Sequence, residues 1–445
     1  MATDTSLQPV APVSSSGPKL AVKIFLWVLA LIVLGVAWFA LLANVAPARL
    51  NFSSGGAILM ASAPPMLLML LCWTGVQRFS APHTKPQALQ VPDAAALPSK
   101  PPMSTARFRI GAWSALTPFG NVTETAQGTK SRTKVVKPDK SILLPSGYPA
   151  HAGIIDIVNL EAMGHAPGTR LRAPRVMAML AAILDDLHAQ QATLTQSTEG
   201  PANVYWLVPQ ALMTGGDTQN ALFDYAWKHS AWRDDAYLLH TIPDGDANVF
   251  TVLSVLQNGI DQSPVPYTIL IAADSLLDRE ELARALALGQ VFSHTAPLGF
   301  IPSEGAGGVV LFNPGSTSDD QWANAAIMGP VKAAGRDTHY DGLPGVMSAA
   351  LTACGARAVD IGIVVSDSDH RSPGSVAAIG AMTQVLSELD PLEHRISPME
   401  YAGAFGAASD LVHLALAVEL AGEKPVLALS TSGGRCASVV ISPNL

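Results

Sequence analysis

The stretch Ile110-Gly111-Ala112-Trp113-Ser114-Ala115-Leu116-Thr117-Pro118-Phe119-Gly120-Asn121 opens the folded part of the chain. Arg107–Trp113 has strand character, and Thr117-Pro118-Phe119-Gly120 is a turn, because proline presets one backbone angle and glycine accepts the reversal. C-terminal to it, apolar runs and helical stripes alternate. A helix is expected over Arg175–Gln191, where Val176, Met179, Leu180, Ile183, Leu184 and Leu187 share one face. Short apolar strands are expected at Val204–Val208, Thr268–Ala273, Gly308–Phe312, Asp360–Val365, Val426–Ser430 and Ala437–Ile441. Further helices are expected over Arg279–Gly289, Val346–Ala353, Val376–Leu389 and Ala407–Ala421, while Phe250–Leu256 fits helix or strand. This order specifies a mixed α/β domain with buried sheets.

N-terminal to that stretch the composition changes. The 445 residues are 49% hydrophobic and only 14% charged, against about 25% charged in ordinary soluble domains. Residues 24–48 carry no charge and are long enough for a spanning helix. Residues 56–76 form a second apolar span, interrupted by Pro64 and Pro65. The expected organisation is a polar tail (1–20), a two-helix transmembrane hairpin (21–77), a Pro/Ala-rich linker (78–104) and one large domain (105–445). Lys19 and Lys23 precede the first span, Arg78, Lys85 and Lys100 follow the second, and the turn between holds only Arg49. The positive-inside rule then puts both termini and the large domain in the cytoplasm, tethered to the inner face of a membrane.

Net charge of −8 argues against nucleic acid as a partner. The cysteines Cys72, Cys354 and Cys436 form no CxxC or Cys/His cluster, so neither a disulfide framework nor a metal site is expected. No G-x-S-x-G, H-E-x-x-H, phosphate loop or dinucleotide fingerprint occurs, and no cofactor is implied. The one polar cluster in a strand-to-helix turn is Asp367-Ser368-Asp369-His370, which fits either a site or a solvated loop.

Several segments, in order, resemble the β-ketoacyl synthases of the thiolase-like superfamily. Ile110–Asn121 resembles that family's opening strand and turn, and Leu270-Ile271-Ala272-Ala273-Asp274-Ser275-Leu276 its mid-domain strand. Ser303-Glu304-Gly305-Ala306-Gly307 is similar to its "G-E-G-A-G" turn. Gly406-Ala407-Ala408-Ser409 is similar to "G-A-A-G", and Ser432–Ile441 to the closing "F-G-G-x-N-A-S-V-V-L". The resemblance implies a layered αβαβα domain of two related halves. It also implies a cysteine nucleophile at a helix start and two histidines. Here the cysteine region, between His240 and Leu256, holds none; Asp246 or Ala247 falls there. The first histidine position falls at Asp367 and the second at Gly403. A chain without that cysteine cannot form the acyl-thioester intermediate.

The resulting expectation is a pseudoenzyme. Behind two membrane helices, such a domain resembles the type VI secretion lipase-adaptor family, whose members help load a phospholipase effector for secretion. Tyr205, Trp206, Trp227 and Trp232 are candidate partner contacts, since aromatics dominate interface hot spots, or else core residues. Two other readings stay open: an acyl-chain or acyl-carrier binding protein, and a condensing-type acyltransferase with a non-standard site, for instance at Asp367, Asp369 and His370. A homodimer is implied by analogy alone.

Overall fold

The computed structural model describes residues 108–156, 160–166, 168–194, 201–213, 216–244, 248–259, 267–312, 326–334, 339–431 and 436–443. The expected hairpin (24–48 and 56–76), the polar tail, the linker and Asp246 lie outside the described residues. Among the described residues no helix is long and apolar enough to cross a membrane.

Thirteen strands and ten helices are described. The strands are β1 (Phe108–Leu116), β2 (Lys137–Leu143), β3 (Pro149–Ala152), β4 (Ala202–Val208), β5 (Tyr237–Pro243), β6 (Tyr267–Ser275), β7 (Glu304–Phe312), β8 (Ala326–Met328), β9 (Lys332–Ala333), β10 (Ile363–Ser366), β11 (Arg395–Ile396), β12 (Val426–Ser430) and β13 (Ala437–Ser442). The helices are α1 (Val122–Lys130), α2 (Arg172–Leu194), α3 (Gly216–Lys228), α4 (Val249–Gly259), α5 (Arg279–Ala287), α6 (Leu343–Cys354), α7 (Ser372–Val385), α8 (Pro391–His394), α9 (Met399–Ala402) and α10 (Ser409–Leu420).

One sheet runs β11-β10-β12-β13-β8-β1-β7-β6-β4-β5, with β9 beside β13. It contains the same path twice. In β5-β4-β6-β7-β1 the first three strands are parallel and the next two pairings antiparallel. In β11-β10-β12-β13-β8 the pattern repeats. In each half the spatial order, counted along the chain, is third, second, fourth, fifth, first. The halves join where Phe108 of β1 faces Met328 of β8.

Alternation along the strands builds three apolar layers. Ile269 and Ile271 of β6 face α2 and α3, while Leu270 faces the opposite way, onto α4 and α10. The other half mirrors this: Val365 and Ala428 face the α4/α10 layer, and Val364 and Leu427 face α6 and α7. The helix layers and two sheet halves therefore alternate α-β-α-β-α. At the centre, Ser409–Val418 of α10 is buried on every side, as expected for a helix apolar all round. α10 approaches β7 so closely that a Cβ on Gly307 would lie 2.6 Å from the Val412 nitrogen.

The aromatic candidates are corrected here: Tyr205, Trp206, Trp227 and Trp232 are all buried. Trp206 and Tyr205 alternate on β4 into two different cores. Trp227 Nε1 donates to the Asp235 carbonyl (3.1 Å) and Trp232 Nε1 to the Leu184 carbonyl (2.8 Å). These indoles close the outer core over α2 and α3, out of reach of a partner.

Candidate functional site

The site lies where the ends of β10 and β12 meet the starts of α4 and α10. Asn248 caps α4, its Oδ1 accepting from the Thr251 nitrogen (2.8 Å) and hydroxyl (2.7 Å). Asp410, in the first turn of α10, reaches across the halves: its Oδ2 accepts from the Val249 nitrogen at 3.2 Å. Its Oδ1 lies 2.8 Å from Ser430 Oγ. Asp367, directly after β10, accepts from the Thr431 nitrogen and hydroxyl, both at 2.7 Å. The same Ser430 Oγ lies 3.1 Å from Asp367 Oδ2.

Both carboxyl groups are buried. Burial, followed by the charge of Asp367, pushes the Asp410 carboxyl up to about 7. His413, one turn further along α10, is fully buried, and burial pulls its imidazole below the usual histidine range. Its Nδ1 donates to the Ser409 carbonyl, and its Nε2 has no hydrogen-bond partner among the described residues. Cys436 is buried too; burial and the charges of Asp367 and Asp341 push its thiol up to about 11. At neutral pH such a thiol is not a ready nucleophile. Among the described residues no group of three or more His, Cys, Asp or Glu is placed to hold a metal ion.

Of the three positions matched to the resembled site, Asp367 is in this cluster and Asp246 lies outside the described residues. Gly403 follows α9 and packs elsewhere, against Ile301 and Ser303. Its φ of 86° and ψ of −177° fall in a region open essentially to glycine. A Cβ there would lie 2.8 Å from the Ile301 carbonyl oxygen and 2.9 Å from Ser303 Cβ. The other polar residues of the Asp367–His370 turn are engaged locally. Asp369 accepts from the Arg371 nitrogen (2.9 Å), and His370 Nε2 bonds the Gly299 carbonyl (2.9 Å).

Sequence reasoning missed Asp410, His413 and Ser430. One signal was present: Asp410 and His413 are three residues apart on a helix whose other residues from Leu411 to Val418 are all apolar, a pattern that sets two polar groups side by side inside a core.

A second buried network braces the end where β6 and β7 pair Ser275 with Glu304. Glu304 accepts from Arg175 Nη2 (2.6 Å), Ser275 Oγ (2.7 Å) and the Ile155 nitrogen (3.1 Å). Asp274 accepts from Arg172 Nε (2.8 Å) and the Ala407 nitrogen (2.9 Å). The acids of the Leu270–Leu276 and Ser303–Gly307 segments thus serve packing between layers.

No protein-family model and no curated protein matches the sequence. Solved structures do match. The ishigamide ketosynthase/chain length factor superposes with a TM-score of 0.56 at 16% identity, over 76% of this chain and 99% of that one. A type II PKS acyl-carrier protein in complex with its ketosynthase, AntDE:AntF, gives 0.57 at 13%, over 76% and 99%. A β-ketoacyl synthase from Burkholderia phymatum STM815 gives 0.53 at 14%, again over 76% and 99%. The domain has a ketosynthase-like, thiolase-type fold.

Proposed function

We propose that this chain is a non-catalytic, membrane-anchored adaptor. A ketosynthase-like domain is held at the cytoplasmic face by the hairpin at 24–48 and 56–76, and it captures a protein partner, a phospholipase bound for type VI secretion. The observation that carries the loss of catalysis is Asp410. A condensing enzyme gathers negative charge, as thiolate and then oxyanion, at the start of the helix that follows a strand, where the positive end of the helix dipole and backbone N–H groups stabilise it. In this chain the Asp410 carboxyl occupies the first N–H of α4, and Asp367 stands behind it. These carboxyl groups take up the donor and fill the place that a further anion would need. Gly403 gives a second support, since its backbone and surroundings exclude a side chain.

The test has two arms. The full chain, tagged and cross-linked in native bacterial membranes, is expected to enrich a phospholipase over a control carrying residues 1–104 alone. The purified chain is expected to release no carbon dioxide from malonyl thioesters in the presence of acyl thioesters. Failure to enrich a phospholipase removes the adaptor reading. Malonyl-dependent condensation that Asp367→Ala abolishes would replace it with an enzyme.

A further inference from the structure

The cluster at the start of α10 poses a proton-counting problem. Ser430 Oγ lies within hydrogen-bond distance of one oxygen of Asp410 (2.8 Å) and one of Asp367 (3.1 Å). A hydroxyl has one hydrogen, and ionised carboxylates only accept. With both acids ionised, one of these two contacts has no hydrogen in it. One more proton, on a carboxyl group, completes both. We propose that Asp410, Ser430 and Asp367 hold this extra proton between them and form a pH-sensitive joint across the two halves of the domain, closed while the proton is bound.

The partners decide which acid carries it. Asp367 accepts from two Thr431 donors besides Ser430. Asp410 accepts from the Val249 nitrogen and faces two charges from other elements, Asp367 after β10 and Asp244 after β5, both acidic. On its own helix, His413 is held neutral by burial. Beyond these, Cys436, just before β13, faces Asp367 and is held as a thiol. The starts of α4 and α10 favour an anion, but burial and the Asp367 charge outweigh them, leaving the Asp410 carboxyl at about 7. The arrangement reads Asp410–OH to Ser430 Oγ, and Ser430 O–H to the Asp367 carboxylate.

The consequence is mechanical. Asp410 belongs to the second half, and its hydrogen bond to Val249 ties it to α4 of the first half. Losing the proton puts a buried charge on Asp410 beside the Asp367 charge and takes the hydrogen out of one Ser430 contact, which loosens the start of α4. The sign follows from linkage: a carboxyl raised in the folded state binds its proton more tightly there than in the unfolded chain. Its stabilisation is complete below the ordinary carboxylate range, near 4, and is lost as pH rises through about 7. The inference is independent of whether the domain is catalytic.

The test uses the full chain in lipid nanodiscs and the variant Asp410→Asn, whose amide can donate to Ser430 and accept from Val249 without a charge. From pH 6 to pH 8.5 the wild-type melting temperature is expected to fall by about 2 °C. Backbone exchange over residues 248–253, corrected for its intrinsic pH dependence, is expected to speed up about tenfold. Asp410→Asn is expected to show neither change. Equal slopes in both proteins would overturn the joint. Should the variant fail to fold, infrared spectroscopy of the wild type reads the same quantity. A protonated-carboxyl band that titrates near pH 7 and shifts in Ser430→Ala supports the joint; its absence at pH 6 overturns it.

Discussion

Replacing Gly403 by alanine tests the claim that this position cannot carry a side chain. Two costs add. The backbone at φ 86°, ψ −177° is strained for any residue with a Cβ, about 1–3 kcal/mol. The new methyl would sit 2.8 Å from the Ile301 carbonyl oxygen and 2.9 Å from Ser303 Cβ, an overpacking worth roughly another 1–3 kcal/mol. A loss near the middle of that range is about 4 kcal/mol. With an unfolding entropy of about 2.1 cal/mol/K per residue over roughly 340 residues, it lowers the melting temperature by about 6 °C. Differential scanning calorimetry of the purified full chain measures it. Gly380→Ala, inside α7 with nothing within 4 Å of the added methyl, is the matched control and should raise stability by about 1 kcal/mol, since alanine is the better helix former. Gly403→His should fare no better than Gly403→Ala. If Gly403→Ala melts within a degree of the wild type, a side chain fits there, and the glycine no longer supports a lost histidine.

Two further perturbations probe the buried polar groups. Arg175→Met leaves Glu304 buried with the Ile155 nitrogen and the Ser275 hydroxyl but no cation; a loss of about 3–5 kcal/mol in urea denaturation is expected, and one below about 1 kcal/mol would contradict the bracing role. His413 is held neutral by burial and so gives stability that is present above the ordinary histidine range and lost as pH falls through its lowered value. Between pH 6.5 and 5 this loss opposes the gain from Asp410, so the two largely offset in the wild type, and His413→Leu should turn that limb into a rise in melting temperature towards pH 5; a limb unchanged by the substitution would show that His413 does not contribute to it.

Much of the fold was legible because the central strands are short apolar runs. Val426–Ser430 was read to the residue, and β6, β7 and β13 to within a few residues of their ends. The β2–β3 hairpin went unread because Lys137-Pro138-Asp139-Lys140 offers no alternation, and its exposed residues need none. β5 and α3 were missed as well, and β8 and β9 are too short to show a period. Phe250–Leu256 was ambiguous because an apolar run fits either element; its helix starts at the Asn248 cap, a signal lying two residues before the run. The aromatics misled because a Trp/Tyr-rich segment looks the same in sequence whether it faces a partner or α2. At the site, counting back from glycines reached Asp367 and Gly403 but not Asp410, whose role depends on α4, some 160 residues earlier in the chain.

The strand order also sets a timetable for synthesis. Of the described strands β1 is made first, yet Ile110 pairs with Leu311 and Phe108 with Met328. At elongation rates of about 5–20 residues per second, those partners leave the ribosome on the order of 10–40 s later. α10, the helix both halves pack around, comes later still. Until then the first half exposes the apolar face that α10 will cover, a face open to aggregation until Ser409 and the residues after it have left the ribosome.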